Sequence, residues 1–316
     1  MGHYLVTGGA GFIGLALARS LATGSHRVVL LDRKKNLERV VLGDNLTAFV
    51  ADISDPSSYP SLSKFGKFDA VLHLAAQTSA RISHEEPDLD FETNVRGTLL
   101  LLDWCRQAGV SRFLYASSMA VYGNPEKLPV SEELPPAPAS FYGVSKLAGE
   151  HYIRVFEQFG IHSTIFRLFN VYGPGQDMEN LKQGMASVYL AYVLKGEEVP
   201  VTGGLDRFRD FIFIDDVVSA WRAVLDSEKS SGRVYNLGSG SKTTVRELLD
   251  VIIRECGHDP ARYPVRQVDG HAGDLFGMLS DSSRFRNEFG WRANVSLSEG
   301  IAKMVAWCQS HEKLRT

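Results

Sequence analysis

The residues of this chain best suited to chemistry are Tyr142 and Lys146, four apart in Tyr142-Gly-Val-Ser-Lys146. Spacing of four puts both on one helical face, one turn apart. A tyrosine hydroxyl titrates at about 10 when unperturbed. A lysine ammonium beside it favours the phenolate and lowers that value, so the pair is predicted to move protons near neutral pH. The pattern alone says little, because 11 tyrosines in 316 residues give about 0.4 such matches by chance. A second segment is Val6-Thr7-Gly8-Gly9-Ala10-Gly11-Phe12-Ile13-Gly14. A pyrophosphate needs backbone N–H groups at a helix N-terminus with no side chain in the way. Gly8 is expected to allow the tight turn, Gly11 the close approach and Gly14 helix–strand packing, with Phe12 and Ile13 opening the helix.

A parallel sheet wrapped by helices would position both segments. Short apolar runs at 3–6, 28–31, 48–50, 70–74, 112–116 and 164–168 alternate with helical patterns. Residues 12–23 carry Ala, Leu and Ile at helical spacing, with Gly24 where a C-terminal cap belongs. Arg27-Val-Val-Leu-Leu-Asp32 reads as a strand buried on both faces. Its last residue, Asp32, is suited to both hydroxyls of an adenosine ribose and repels a 2′-phosphate. NAD is therefore expected over NADP, with Arg33 and Lys34 pulling the other way. Asp52-Ile53 follows the third strand, where a carboxylate and an aliphatic side chain suit an adenine edge; for Asp52 a capped loop is an equal alternative.

After Asn170 the alternation becomes irregular, and Gly173-Pro-Gly175 breaks the chain. The expected fold is α/β: a Rossmann-type doubly wound parallel sheet with a smaller, mainly helical C-terminal substrate domain. Residues 1–170 plus about 211–238 form the expected NAD-binding domain, and about 171–210 plus 239–316 the substrate domain. Residues 259–274 read as a polar loop.

Composition sets limits. Charged residues make up 22% and the net charge is −3, with no basic stretch long enough for nucleic acid. Three cysteines, widely spaced, read as free thiols and not as a disulfide frame or metal site. With no long apolar run and a strand-like start, the chain is expected to be cytoplasmic, without membrane or signal segment.

Three further segments carry a resemblance: His73-Leu-Ala-Ala76 after the fourth strand, Ser117-Ser-Met-Ala-Val-Tyr-Gly123 after the fifth, and Tyr142-Gly-Val-Ser-Lys146 opening a helix. With the glycine loop, in this order, they resemble the extended short-chain dehydrogenase/reductase family, in its NAD-dependent epimerase/dehydratase branch. The resemblance implies that Tyr142 takes a sugar hydroxyl proton while hydride leaves the same carbon for NAD. It implies that Lys146 holds the nicotinamide ribose, that Ser118 binds the reacting oxygen, and that Leu74, Ala75 and Ala76 flank the cofactor. It also implies a nucleoside-diphosphate sugar, UDP favoured, held by Asn170, Asn180, Leu181, Arg209 and Asp274. One departure stands out. The family's Arg-x-Gly-Asp is here His271-Ala-Gly-Asp274, so either a phosphate-charged His271 or Arg266 or Arg207 is expected to take the arginine's place.

The residues after Ser118 separate the reactions. Dehydratases of the family carry Asp-Glu there, as acid and base for elimination; Met119-Ala120 offers neither. Glucuronate epimerases place hydroxyl residues there, although Thr78, Ser79 or Arg81 are candidates to bind a carboxylate. The expected reaction is inversion at C4 through a transient 4-keto sugar, of the UDP-glucose/UDP-galactose type. The alternatives are a UDP-glucuronate epimerase or decarboxylase, a keto-sugar reductase, and a non-catalytic NAD-binding sensor. The position that gates N-acetyl groups in such enzymes falls near Met278. A homodimer is expected, paired through helices at 95–108 and 144–159.

Overall fold

The computed structural model describes residues 1–269 and 275–312. In chain order the strands are β1 (His3–Thr7), β2 (Arg27–Asp32), β3 (Leu46–Val50), β4 (Ala70–His73), β5 (Arg112–Ser118), β6 (His162–Leu168), β7 (Asn170–Tyr172), β8 (Val199–Thr202), β9 (Phe208–Arg209), β10 (Phe211–Phe213), β11 (Arg233–Leu237), β12 (Thr243–Thr244) and β13 (Val265–Val268). Strands β1 to β6 pair in parallel. They belong to a seven-stranded sheet of order β11-β6-β5-β4-β1-β2-β3. The order reverses between β1 and β4, and the loops leaving those two strands diverge there, which is where doubly wound sheets bind ligands.

Contacts divide the chain into two compact units. The first holds residues 1–123, 135–168 and 218–235, the second 124–134, 169–217 and 236–316. Residues 124–134, 169–170, 211–217 and 236–238 thus group with the second unit, where the sequence reading put them with the first.

In the first unit, α1 (Phe12–Thr23) buries Gly14, Leu17, Ala18, Leu21 and Ala22, the three-and-four spacing of a helix with one apolar stripe. After α2 (Lys34–Leu37) come α3 (Ala80–Glu85), α4 (Pro87–Asp90), a π-helical turn (Phe91–Arg96) and α5 (Gly97–Ala108). The single helix expected at 95–108 is therefore entered through a widened turn. Next, α6 (Phe141–Phe156) is capped by the Ser140 side chain, which accepts from the Gly143 amide. Its buried stripe is Gly143, Lys146, Gly149, Glu150, Ile153 and Phe156. The same periodicity that packs the helix onto the sheet carries a lysine and a glutamate inside.

The second unit contains α7 (Met185–Leu194), α9 (Val245–Glu255), α10 (Ser283–Phe289) and α11 (Leu297–Glu312), while α8 (Ile214–Val224) runs across the boundary. Besides these helices, its described residues form three two-stranded sheets, β10-β7, β12-β9 and β13-β8. Strand β13 corrects the loop expected at 259–274: Val265 pairs with Val199 and Val268 with Thr202. Its central residues, Arg266 and Gln267, are exposed, so its composition reads as loop although its backbone is paired. Among the described residues no helix is long and apolar enough to cross a membrane.

Candidate active site

The glycine loop has the backbone that its residue types demand. Gly8 has φ +65°, and a Cβ there would lie 2.6 Å from the Ala75 nitrogen. A Cβ on Gly14 would lie 2.2 Å from the Gly8 carbonyl oxygen. Gly14 therefore lets the helix close on its own entry loop, which corrects the helix–strand packing expected of it. Gly11 is the N-cap of α1 and offers no side-chain cap. The Leu15 amide is bonded back to Gly11, so the amides of Phe12 and Ile13 precede the helical ladder, as an anion site requires.

Thr7 ties this loop to the exit of β4. Its carbonyl accepts from the Leu74 amide at 3.1 Å and its hydroxyl from the Ala75 amide at 3.3 Å. His73 reads the arrangement from below, with Nδ1 2.7 Å from the Thr7 hydroxyl and Nε2 2.9 Å from that of Thr98. Thr98 donates to the Asn94 carbonyl at 2.6 Å, so it accepts from His73. The proton therefore sits on Nε2, and Thr7 donates to Nδ1. Burial first, and Lys146 second, hold His73 well below its ordinary value.

Asp32 is buried at the end of β2. Its carboxylate accepts from the amides of Ala10 at 3.0 Å and Arg33 at 2.8 Å and from the Asn36 side chain at 2.6 Å. A carboxylate has about four acceptor sites, which leaves about one for a ribose hydroxyl rather than the two expected. Asp52 accepts from the Ser54 amide and hydroxyl at 2.9 and 2.7 Å, the capped-loop alternative. Ile53 is buried in the core with Leu31, Phe49 and Leu101 instead of presenting its side chain as an adenine wall. Beside Asp52, a shallow cavity of about 410 Å³ is lined by Arg33, Lys34, Val50, Ser57 and Ser58.

Tyr142, Lys146 and Ser118 come together at the end of β5 and the first turns of α6. The Ser118 side chain hydrogen-bonds the Tyr142 hydroxyl. Lys146 is 3% exposed, and its ammonium lies 4.3 Å from the Tyr115 ring centre. The electrostatics differ from the sequence expectation. Burial pushes Tyr142 up to about 12, opposed by the Ser118 hydrogen bond and reinforced by Asp90. Burial pushes Lys146 down to about 7, opposed by Glu150 and then Asp90. Lys146 does not lower the phenol here, because loss of solvent penalises both charged forms more than their attraction repays.

The sequence reading missed the polar groups around this pair. Glu150 accepts from Arg167 at 3.0 and 2.7 Å and from the Ser117 hydroxyl at 2.5 Å. Arg167 also donates to the Tyr122 hydroxyl at 3.0 Å. Asn94, in the π-helical turn, donates to the Gln77 carbonyl, to Asp90 and to the Ser145 hydroxyl, at 2.9, 3.1 and 3.0 Å. The available signals were Ser145 between the motif's Tyr and Lys, and Glu150 one turn beyond the Lys.

In the second unit, Asn170 lies on β7 and donates from its amide side chain to the Asp210 carbonyl at 3.0 Å. Asn180 accepts from the Lys182 amide at 3.1 Å, and Leu181 is exposed. Arg209 is buried, donating to the carbonyls of Phe208 at 2.7 Å, Leu275 at 2.9 Å and Phe276 at 3.3 Å. Asp210, also missed, accepts from the Ser239, Gly240 and Ser280 amides and from the Ser239 and Ser280 hydroxyls. Arg266 pairs with Glu198 at 2.7 Å, Arg207 donates to the carbonyls of Thr202 and Leu275, and Met278 is fully buried. His271 and Asp274 lie outside the described residues. Of the residues considered for a carboxylate, Ser79 caps α3 and Arg81 pairs with Glu85 at 2.8 Å.

Comparison with known proteins matches residues 4–238 to the NAD dependent epimerase/dehydratase family. A UDP-glucose 4-epimerase of Mycolicibacterium smegmatis is 36% identical over 310 residues, covering 95% of this chain and 96% of that protein. The crystal structure of a UDP-glucose 4-epimerase with UDP-glucose from Thermotoga maritima aligns with a TM-score of 0.91 and 32% identity, over 98% of this chain and 99% of that one. A Thermus thermophilus UDP-glucose 4-epimerase in complex with NAD aligns with a TM-score of 0.87 and 33% identity, over 97% and 99%.

Proposed function

The chain belongs to the NAD-dependent epimerase/dehydratase family, and we propose that it inverts C4 of a nucleotide sugar of the UDP-glucose/UDP-galactose type. The observation that carries this reading is the meeting of Ser118, Tyr142 and Lys146, followed directly by Met119 and Ala120. Redox chemistry at one carbon has its groups there, and elimination lacks its acid and base. The glycine loop fits NAD: the N-cap, Gly11, has no side chain, and a Cβ at Gly8 or Gly14 would strike backbone.

NAD, when bound, would supply a hydride acceptor and donor for C4 and, while oxidised, a positive ring charge that favours the Tyr142 phenolate where Lys146 alone does not. Tyr142 takes the C4 hydroxyl proton as hydride departs, leaving a 4-keto sugar, while Ser118 holds the oxygen. The sugar turns about its phosphate linkage, and Tyr142 returns the proton as hydride is restored to the opposite face. Lys146 holds charge beside the phenol and a ribose hydroxyl. Asn170, Asn180, Leu181, Arg209, His271 and Asp274 are assigned to the nucleotide by resemblance, and Arg209 trades carbonyl contacts for phosphate.

The test is to incubate purified protein with UDP-, dTDP-, CDP- and GDP-sugars and follow C4 inversion by NMR. Equilibration of UDP-glucose and UDP-galactose from either side, with no net NADH absorbance, is expected. Net oxidation or reduction would mark a reductase, and no turnover of any sugar would overturn the reading.

A homodimer completes the proposal. Val144, Tyr152, Val155 and Phe159 are exposed along α6 and its terminal turn, an apolar stripe at helical spacing that a second copy's identical helix can cover about a two-fold axis. Sedimentation should show a dimer, and Val155→Glu should shift it toward monomer. A cytoplasmic setting, in which Cys105, Cys256 and Cys308 stay free thiols, suits this reading.

A further inference from the structure

We propose that Asp90 is the counter-charge of Lys146, a positioning residue that keeps the ammonium protonated inside the protein. The proposal rests on the epimerase reading for its kinetic consequence but not for its physical basis.

Asp90 closes α4, which packs against α6, and is 1% exposed. A carboxylate so buried needs strong compensation. The donors reaching it are neutral amides: the Gln77 side chain at 2.8 Å and the Asn94 side chain at 3.1 Å. Among the described residues no Lys or Arg is in ion-pair contact with it. The Asn94 amide that holds Asp90 also reaches the Ser145 hydroxyl at 3.0 Å, and Ser145 donates to the Tyr142 carbonyl at 3.0 Å. Asp90 is thereby fixed to the turn of α6 that carries both Tyr142 and Lys146.

Glu150 supports the Lys146 ammonium more than Asp90 does, but it already has a cation of its own. Glu150, on the same helix, is held bidentately by Arg167 from β6. Tyr115 on β5 is kept a neutral phenol and His73 on β4 a neutral imidazole, both by burial first. Tyr142 is also pushed toward its neutral form. Among the described residues of this cluster, Asp90 is the buried carboxylate that supports Lys146 without a cation in ion-pair contact of its own. A lysine that burial brings down to about 7 is poised where a single neighbouring charge decides its state, since one unit is a tenfold change in the protonation ratio.

Asp90→Asn keeps the shape and an oxygen toward both amides while removing the charge. The alkaline limb of its kcat–pH profile should move down by about one unit. Turnover should fall about tenfold at pH 8 and less than about twofold at pH 6, and Asp90→Glu should restore most of it. In parallel, protein labelled with 13C-lysine gives the Lys146 Cε titration directly, assigned by its loss in Lys146→Met. That titration should move to lower pH in Asp90→Asn even if the wild-type chain turned over no sugar. Asp90→Ser, which keeps a hydroxyl oxygen there, is read alongside in case the asparagine variant does not fold. An unmoved Lys146 titration, or equal loss of turnover at both pH values without rescue by glutamate, would overturn the proposal.

Discussion

The glycine loop and the Tyr142 corner belong to the same unit and are built on opposite principles. The loop is made of main chain: its work is done by amides, and its residues are selected for the atoms they lack. The corner is made of side chains, and its behaviour depends on charged and polar groups gathered from β4, β5, β6, α4 and α6. A cradle of main-chain amides is specified by a few consecutive residues. An electrostatic environment is specified by the whole fold. The first is sensitive to a single added methyl group, the second to a single added or removed charge.

The strongest way to break this contrast is at the corner. Tyr142→Phe should lower epimerisation by about a hundred- to ten-thousand-fold while NAD uptake persists; a turnover number near wild type would leave the loop as the only functional region. Next in size is Arg167→Met, which strands the Glu150 carboxylate in the interior. It should destabilise the protein by about 3–5 kcal/mol in urea unfolding, and a loss under about 1 kcal/mol would mean that Glu150 finds other partners. At the loop, Gly14→Ala forces the helix away from the Gly8 carbonyl. About 1–3 kcal/mol of stability should go, together with NAD affinity measured by calorimetry, whereas unaltered NAD binding would show that the cradle tolerates side chains after all.

The smallest effect joins the two regions through His73. Its folded value lies well below the ordinary one, so the unfolded chain gains a proton first as the solution is acidified. The stability it contributes is complete above about pH 6.5 and drains as pH falls, by up to about 1.4 kcal/mol per unit. Thermal unfolding at pH 7, 6 and 5 should show this slope, and His73→Gln should flatten it.

The same contrast governs what could be read from the sequence. Gly8, Gly11 and the run ending at Asp32 announced the loop because local shape needs local residue types. Ser118, Tyr142 and Lys146 were legible as a set because three motifs in order fix their place at the strand ends. The direction of the Tyr142 shift was not, since it turns on how much solvent the fold removes. Asn94 was invisible because it sits in a π-helical turn unmarked by Gly or Pro, and Asp90 because it closes the four-residue helix before that turn. Ile53 went to the core and Asp52 to a turn, because the residues following a strand contribute backbone as readily as side chains. Strand β13 was missed because a half-exposed strand carries polar residues.

The division of the first unit along the chain has a consequence for the order in which the protein can form on the ribosome. Strand β6 ends at Leu168, while its outer neighbour β11 begins at Arg233, after the second unit's residues 169–217. At roughly 5–20 residues per second, β6 emerges several seconds before the strand that covers its edge. During that interval an apolar strand with unpaired backbone groups waits at the side of a sheet that is otherwise ready to pair. The nascent chain is thus most prone to mispairing there, and slowing translation between residues 169 and 233 should lower soluble yield more than slowing it anywhere before β6.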